Sequence, residues 1–330
     1  MYYILDNSTD PQWNLAAEEY LFKRFDQPVF RLWRNAPSII IGLHQNAYAE
    51  INIDYVRNNN IPVVRRLSGG GAVFHDLGNV NFTFIDNRNA SEETSQMFAR
   101  FTKPILDALG ELGIEACLKG RNDLVIDDRK FSGNAVALYK NRVLQHGTLL
   151  FSASMTNLSQ ALANRPENFV GKAVQSNRAR VTNISEHLSQ KMDVESFILF
   201  LEKYITEKMG GNYQMYSYTS EDLKNISKLK LEKYSLDSWN FGLSPAYGYS
   251  KVTRFNWGLM ELYMQVEKGV IKDIRFYGNY FFMKETSLLE RMFVGCLHSP
   301  ESLKEIIKTI NLSDYFVNIT EEEFLSMFWQ

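Results

Sequence analysis

The chain has 330 residues, of which 45% are hydrophobic, with 36 Lys+Arg against 38 Asp+Glu. That length suits two domains with a sizeable core, and the nearly cancelled charge excludes bulk electrostatic binding to nucleic acid or to a membrane surface, so any basic site must be local. Cys117 and Cys296 lie far apart with no Cys/His cluster, and there is neither a signal-like start nor a membrane-length apolar run; a disulfide framework and structural zinc are not expected, and a cytoplasmic location is.

Asp10-Pro11 supplies an N-cap and a first helical position, and Leu15, Ala16, Tyr20, Leu21 and Phe25 follow at helical spacing. Residues 28–33 and 38–41 read as strands, 42–46 as a loop, and 53–57 as a short helix before a strand through 62–64. Asn89 and Glu92 fit a capping box for a helix carrying Met97, Phe98, Phe101, Ile105, Leu109 and Leu112, which Pro104 should bend or divide. Strands are expected at 115–118, 124–126, 130–138 and 142–151, with turns at Asp127-Asp128 and Lys140-Asn141.

Residues 164–183 are polar, carry Arg165, Lys172, Arg178 and Arg180, and show no clear period, so they read as a long loop. A helix follows at 193–208, then a lysine-rich polar stretch at 224–237 and a connector at 239–246. Antiparallel strands at 251–256, 260–267 and 270–277 come next, the last pair turning at Lys268-Gly269. Helices begin at Ser287, at Ser299-Pro300 and at Thr320, where Glu323 completes a capping box. Strands mixed with segregated helices indicate an α+β fold.

The most informative stretch is 65–76, Arg-Arg-Leu-Ser-Gly-Gly-Gly-Ala-Val-Phe-His-Asp. Gly69, Gly70 and Gly71 lack a Cβ, so a ligand can lie against bare backbone and several N–H groups can face one anion. Arg65 and Arg66 precede them with planar forks that match carboxylate or phosphate oxygens. Neither a P-loop nor a dinucleotide fingerprint fits, because Val80, Phe82 and Phe84 continue as a strand. Gly120-Arg121-Asn122-Asp123-Leu124 offers oxygens able to hold Mg²⁺ beside phosphates. In Arg129-Lys130-Phe131-Ser132-Gly133-Asn134, the lysine beside Ser-Gly is a candidate electrophile, and Gln145-His146-Gly147-Thr148-Leu149 places a second small residue on the neighbouring strand.

Taken together, these four motifs resemble the lipoate-protein ligases of the biotin/lipoyl ligase superfamily. The similarity continues through residues 172–184 and, at 239–246 and 254–258, into the start of that family's small C-terminal domain. It implies a mixed-sheet catalytic domain at 1–243 and an α+β accessory domain at 244–330 in a monomer. The implied chemistry has two halves: lipoate and ATP give lipoyl-adenylate and pyrophosphate, then a lysine of an acceptor domain takes the lipoyl group as an amide. The implied acceptors are 2-oxoacid dehydrogenase E2 subunits and the glycine cleavage H protein.

By the same resemblance, Arg66, Gly71, Ala72, Val73, Phe74, Asn122, Asp123, Lys130, Arg178 and Arg180 meet ATP or the adenylate, with Asp123 near Mg²⁺. Ser68, Gly69, Gly70, Gly71, Val73, His75, Lys130, Gly133, His146, Gly147 and Thr148 meet lipoate. Lys130 bridges the lipoyl carbonyl and the phosphate as the catalytic residue, and the arginine-bearing loop closes over the adenylate. Two departures stand out: Ser176-Asn177-Arg178 where the family leads one to expect Ser-Val-Arg, and only residues 124–129 between Asn-Asp and the lysine, which implies a tight hairpin.

Three other functions compete. A cysteine-dependent octanoyl or lipoyl transferase of the same superfamily would need a thioester at Cys117, which precedes Gly120 instead of following Asn-Asp. A serine hydrolase would use Ser68, His75 and Asp76, but Ser68 lacks a Gly-x-Ser-x-Gly elbow, and adjacent residues on an extended chain point to opposite faces. A non-catalytic binding module would lack the lysine at 130.

Overall fold

The computed structural model describes residues 1–89, 91–120, 122–162, 169–171, 180–208, 212–244, 246–256, 258–278, 286–316 and 319–329. Its strands in chain order are β1 (Tyr2–Leu5), β2 (Val29–Trp33), β3 (Ser38–Ile41), β4 (Val63–Arg65), β5 (Val73–His75), β6 (Asn79–Asn87), β7 (Cys117–Lys119) and β8 (Asp123–Ile126). They continue with β9 (Arg129–Tyr139), β10 (Arg142–Leu150), β11 (Phe169–Gly171), β12 (Gln214–Met215), β13 (Tyr247–Phe255), β14 (Gly258–Glu267) and β15 (Val270–Gly278). An eight-stranded sheet runs β12-β1-β2-β6-β10-β9-β8-β7, a three-stranded sheet β4-β3-β5, and a four-stranded sheet β11-β13-β14-β15. The large sheet is mixed, parallel at β1–β2 and antiparallel from β2 through β6, β10 and β9 to β8, and the fold is α+β.

Alternation along β6 decides what covers each face of the large sheet. Val80, Phe82 and Phe84 pack in one apolar cluster with Met97, Phe101, Ile105 and Leu109 of the Thr94–Glu111 helix. Asn81 and Thr83 alternate with them, and Thr83 reaches the Pro11–Arg24 helix through Glu18. That helix begins where expected: the Asp10 carboxylate accepts from the backbone N–H groups of Gln12 and Trp13.

The Thr94–Glu111 helix departs from expectation twice. Its cap is Glu93, whose backbone N–H donates to the Gln96 side chain at 2.9 Å, whereas Asn89 closes the turn ahead of it by accepting from Glu92 N and Ser91 N. The helix also runs through Pro104 without being divided, with Phe101, Ile105 and Ala108 on either side buried in the core. The polar stretch at 224–237 is helical as well, as Ser220–Leu229 followed by a π-turn, Lys230–Tyr234. Its few apolar residues suffice, since Ile226 and Tyr234 pack on Leu15 and Ala16 while Lys233 pairs with Glu19 at 2.6 Å.

The 164–183 stretch is not all loop. Phe169–Gly171 forms β11, antiparallel to β13 with Phe169 opposite Tyr249, because the unpaired N–H and C=O groups of an edge strand recruit an extended segment. Further along, Arg180 O accepts from Lys130 N at 2.8 Å and Thr182 N donates to Lys130 O at 3.0 Å. One connection therefore touches both the C-terminal sheet and the strand carrying Lys130. Arg121, Arg165, Lys172, Arg178 and Trp257 lie outside the described residues.

The C-terminal strands turn at Lys268 and Gly269, both at positive φ (50° and 74°), as a two-residue hairpin requires. Helices Thr286–Phe293, Pro300–Lys308 and Glu321–Ser326 cover them. Their core is continuous with the back of the three-stranded sheet: Ile39, Ile41 and Phe74 share one cluster with Tyr247, Leu262, Phe293 and Phe324. Among the described residues, no helix is long and apolar enough to cross a membrane.

Candidate functional site

A cavity of about 430 Å³ opens where β8, β9 and β10 meet the glycine loop. Arg66, Gly69, Gly70, Gly71, Ala72, Val73 and His75 form one wall, Asn122, Asp123, Lys130 and Gly133 a second, and His146, Gly147 and Thr148 a third. Leu15, Trp33, Ile40 and Phe98 add apolar surface. Three stretches far apart in sequence thus converge on one volume of a size that suits a small ligand.

Glycines make the convergence sterically possible. A Cβ on Gly42 would overlap the Gly70 carbonyl oxygen, and Gly70 itself sits at φ 89°. A Cβ on Gly147 would collide with Asn134 Oδ1 and, at 2.6 Å, with the Phe82 ring. Gly133 lies beneath the Lys130 side chain, whose Nζ would be 3.1 Å from a Cβ there.

The two arginines divide their work. Arg66 is buried and donates to Ser68 Oγ and to the carbonyls of Ile40, Gly69 and Gly71, so its fork shapes the glycine loop from behind. Arg65 points elsewhere. Its guanidinium donates to the carbonyls of Gly42, Leu43, Gln45, Trp239 and Asn240 and to Ser244 Oγ, while Trp239 Nε1 donates to Arg65 O. Arg65, expected from sequence to face an anion, instead fastens the 239–244 connector to β4. Burial pulls both guanidinium groups down to about 10, which leaves them charged at neutral pH.

Lys130 Nζ lies 2.8 Å from Asp123 Oδ1, and both side chains remain partly exposed. Asn122 Nδ2 is turned away to Asn134 O at 2.6 Å. Ser68 is buried behind the loop, with its Oγ 2.6 Å from His146 Nε2, and His146 Nδ1 lies 2.8 Å from Glu18 Oε2. Burial alone would raise the Glu18 carboxyl; His146, Thr83 and Arg31 outweigh it and hold the group below the usual carboxylate range. His75 faces the cavity with Nδ1 3.0 Å from Asn35 Nδ2, and burial beside Arg66 and His146 pulls its pKa down to about 3.

Some expected positions fall elsewhere. Phe74 lies between Val73 and His75 on β5, so the period of two turns it into the apolar core on the other side of the small sheet. Arg180 is exposed and takes part through its backbone carbonyl, and Arg178 is outside the described residues. Cys117 is exposed on the strand at the sheet edge and does not line the cavity, which does not favour the thioester alternative. The Ser68–His75–Asp76 arrangement does not form either: Ser68 pairs with His146, and Asp76 accepts from Gly78 N and Ser154 N.

Comparison with known proteins agrees with the geometry. Residues 10–206 match the family "Lipoyl protein ligase A/B catalytic domain", and residues 244–328 match "Bacterial lipoate protein ligase C-terminus". The lipoate-protein ligase LplJ of Bacillus subtilis (strain 168) is 41% identical over 326 residues, 98% of either chain. The chain belongs to the lipoate-protein ligase family. Among solved structures, a bi-partite lipoate protein ligase of Thermoplasma acidophilum, described with its E2 lipoyl domain, is similar with a TM-score of 0.64 and 26% identity, over 73% of this chain and 96% of that one. A lipoate-protein ligase A bound with ATP gives a TM-score of 0.63 and 27% identity over 73% and 98%.

Within this lipoate-protein ligase, Glu18, Trp33 and Asn35 stand at or behind the cavity without belonging to any of its motifs. Glu18 did carry a signal: it falls three residues after Leu15 and four before Phe22, a carboxylate on the buried stripe of a helix. Asn35 has none, since its partners Asn14 and His75 are 21 and 40 residues away.

Proposed function

We propose that the cavity takes lipoate and ATP, joins them as lipoyl-adenylate with release of pyrophosphate, and passes the lipoyl group to a lysine of an acceptor domain. A carboxylate is a poor acylating agent, because its charge repels a nucleophile and its leaving group would be oxide; adenylation substitutes AMP as the leaving group. The observation that carries this reading is that the glycine loop, Asn122-Asp123, Lys130 and His146-Gly147-Thr148 surround one cavity. The family membership and the ATP-bound relative support the same substrates.

In this proposal Lys130 holds oxygens of the acyl carbonyl and the phosphate, and Arg66, Gly71, Ala72, Val73, Asn122 and Asp123 border the nucleotide. Ser68, Gly69, Gly70, His75, Gly133, His146, Gly147 and Thr148 border the lipoyl chain, with Arg178 and Arg180 belonging to a segment that covers the adenylate. Among the described residues no group of three or more His, Cys, Asp and Glu side chains could hold a metal ion. The lone Asp123 carboxylate fits a Mg²⁺ that arrives as part of the ATP substrate, held chiefly by phosphates. Residues 1–243 carry the chemistry, residues 244–330 are accessory, and the enzyme acts as a cytoplasmic monomer on lipoyl domains of E2 subunits and on the glycine cleavage H protein.

The deciding experiment incubates the protein with lipoate, Mg-ATP and an apo lipoyl domain and follows acceptor mass. The expected result is one lipoyl group added, dependent on nucleotide; full modification without ATP would overturn the ligase reading.

A further inference from the structure

A chain of buried amides runs from Arg31 to the cavity, and its polarity is fixed at the start. Arg31 can only donate, and it does so to Asn14 Oδ1 at 2.6 Å and Asn14 O at 2.9 Å, with its charge met by Asp6 at 2.9 Å. Asn14 therefore turns its NH₂ group the other way, toward Asn35 Oδ1 at 2.9 Å, and the same nitrogen also faces the carbonyls of Ser8 and Arg34, as an N–H donor should. With its oxygen facing Asn14, Asn35 must present NH₂ to His75 Nδ1, 3.0 Å away.

A second arm converges on the same atom. Asn79 Nδ2 donates to Asn81 Oδ1 at 2.9 Å, which leaves the Asn81 NH₂ group facing His75 Nδ1 at 3.5 Å. A ring nitrogen that accepts carries no proton, so the proton of the neutral imidazole sits on Nε2. That nitrogen is buried and has no hydrogen-bond partner among the described residues, on a side chain that lines the cavity. Arg31, Asn14 and Asn35 are fully buried and His75 is 3% exposed, so water does not scramble the order.

We propose that Arg31, Asn14 and Asn35 are positioning residues that lock His75 as the Nε2–H tautomer, so that the cavity presents a fixed, uncharged donor to a hydrogen-bond acceptor of the acyl substrate. This rests on the assignment of the cavity to lipoate. A donor that cannot change charge or tautomer orients its ligand without reorganising when the ligand enters. The shared chemistry is an acceptor atom, either a carboxyl oxygen or a sulfur of the dithiolane ring.

The test uses the full chain with ¹⁵N-labelled histidine. The unaltered protein should show the His75 proton on Nε2, and Asn35→Asp, which offers Nδ1 only an acceptor, should move it to Nδ1. Asn35→Asp should bind lipoate at least about tenfold more weakly, with ATP affinity unchanged. His75→Gln, whose NH₂ falls near the place of Nε2, should recover binding that His75→Met does not, and this pair carries the decision if Asn35→Asp does not fold. A loss shared with octanoate assigns the donor to the carboxyl end, and a loss confined to lipoate assigns it to the ring sulfurs. A proton on Nδ1 in the unaltered protein, or a moved proton with unchanged lipoate affinity, would overturn the proposal. No lipoate binding by the unaltered protein would instead overturn the cavity assignment, with the tautomer result standing by itself.

Discussion

The Lys130 ammonium lies 2.8 Å from an Asp123 carboxylate oxygen across the floor supplied by Gly133. One ion pair leaves the ammonium further N–H donors, so it can hold oxygens of a reacting carbonyl and phosphate while Asp123 keeps it in place. Loss of one preorganised donor typically costs about a hundredfold to a thousandfold in rate. Lys130→Ala should therefore unfold like the unaltered protein yet lose at least about that much lipoyl transfer. Lys140→Ala, at the tip of the same hairpin, should be nearly silent, and Lys130→Arg should rescue poorly because a broad fork does not fit where a compact ammonium sits. Single-turnover rates of adenylate formation and of transfer check all three.

Arg65 predicts a stability defect. Its guanidinium is the donor to five carbonyls drawn from 42–45 and from the connector. Arg65→Ala strands these acceptors and should cost about 3 kcal/mol or more in urea unfolding. Arg65→Lys should recover little, since one ammonium cannot reach both groups.

Two glycines should behave in opposite ways. A methyl group at Gly42 meets the Gly70 carbonyl, whereas one at Gly69 meets nothing within 4 Å. Gly42→Ala should displace the glycine loop and weaken ATP and lipoate binding by about tenfold or more, a shift equivalent to roughly 1.4 kcal/mol. Gly69→Ala should fold and keep its shape. Equilibrium binding of both ligands by calorimetry distinguishes them.

Acid should destabilise the fold in two stages. His298 donates from Nε2 to Phe328 O at 2.8 Å and accepts the Tyr247 hydroxyl at Nδ1, and burial pulls its pKa from 6.5 to about 4. Below about 6.5 the unfolded chain takes up protons that folded His298 and His75 refuse, so stability falls as pH drops toward about 4. The size for one such histidine is on the order of 3 kcal/mol. Glu18 and Glu19, held below the usual carboxylate range by their partners against the opposing effect of burial, add a further loss as pH falls through their folded values. Thermal unfolding against pH should show a decline beginning near 6.5, shallower in His298→Gln, which keeps a donor and an acceptor without the titration.

How far the sequence reaches depends on whether a feature is local. The Asp10, Ser299 and Thr320 caps, the positive-φ hairpin at Lys268-Gly269 and the period of β6 are all written within a few neighbouring residues, and each stands where its residues predict. The motifs marked the cavity walls, because glycine, lysine and histidine are costly to place together without a purpose. The role of Arg65 could not be read from its adjacency to Arg66: that it faces the connector depends on Trp239 and Asn240, 174 and 175 residues away. The lysine-rich 220–234 helix hid in the same way, since its stability comes from Leu15, Ala16 and Glu19 on another helix and its own composition is polar.

Because Phe169 pairs with Tyr249, the edge strand of the C-terminal sheet is translated eighty residues ahead of its partner. At ordinary elongation rates that interval is roughly 4 to 16 s. The large sheet, whose strands end at Met215, has left the ribosome before then. Phe169–Gly171 must wait for β13 with its hydrogen-bonding groups unpaired. The connection that also touches Lys130 is thus tied down at its β11 end only when β13 emerges.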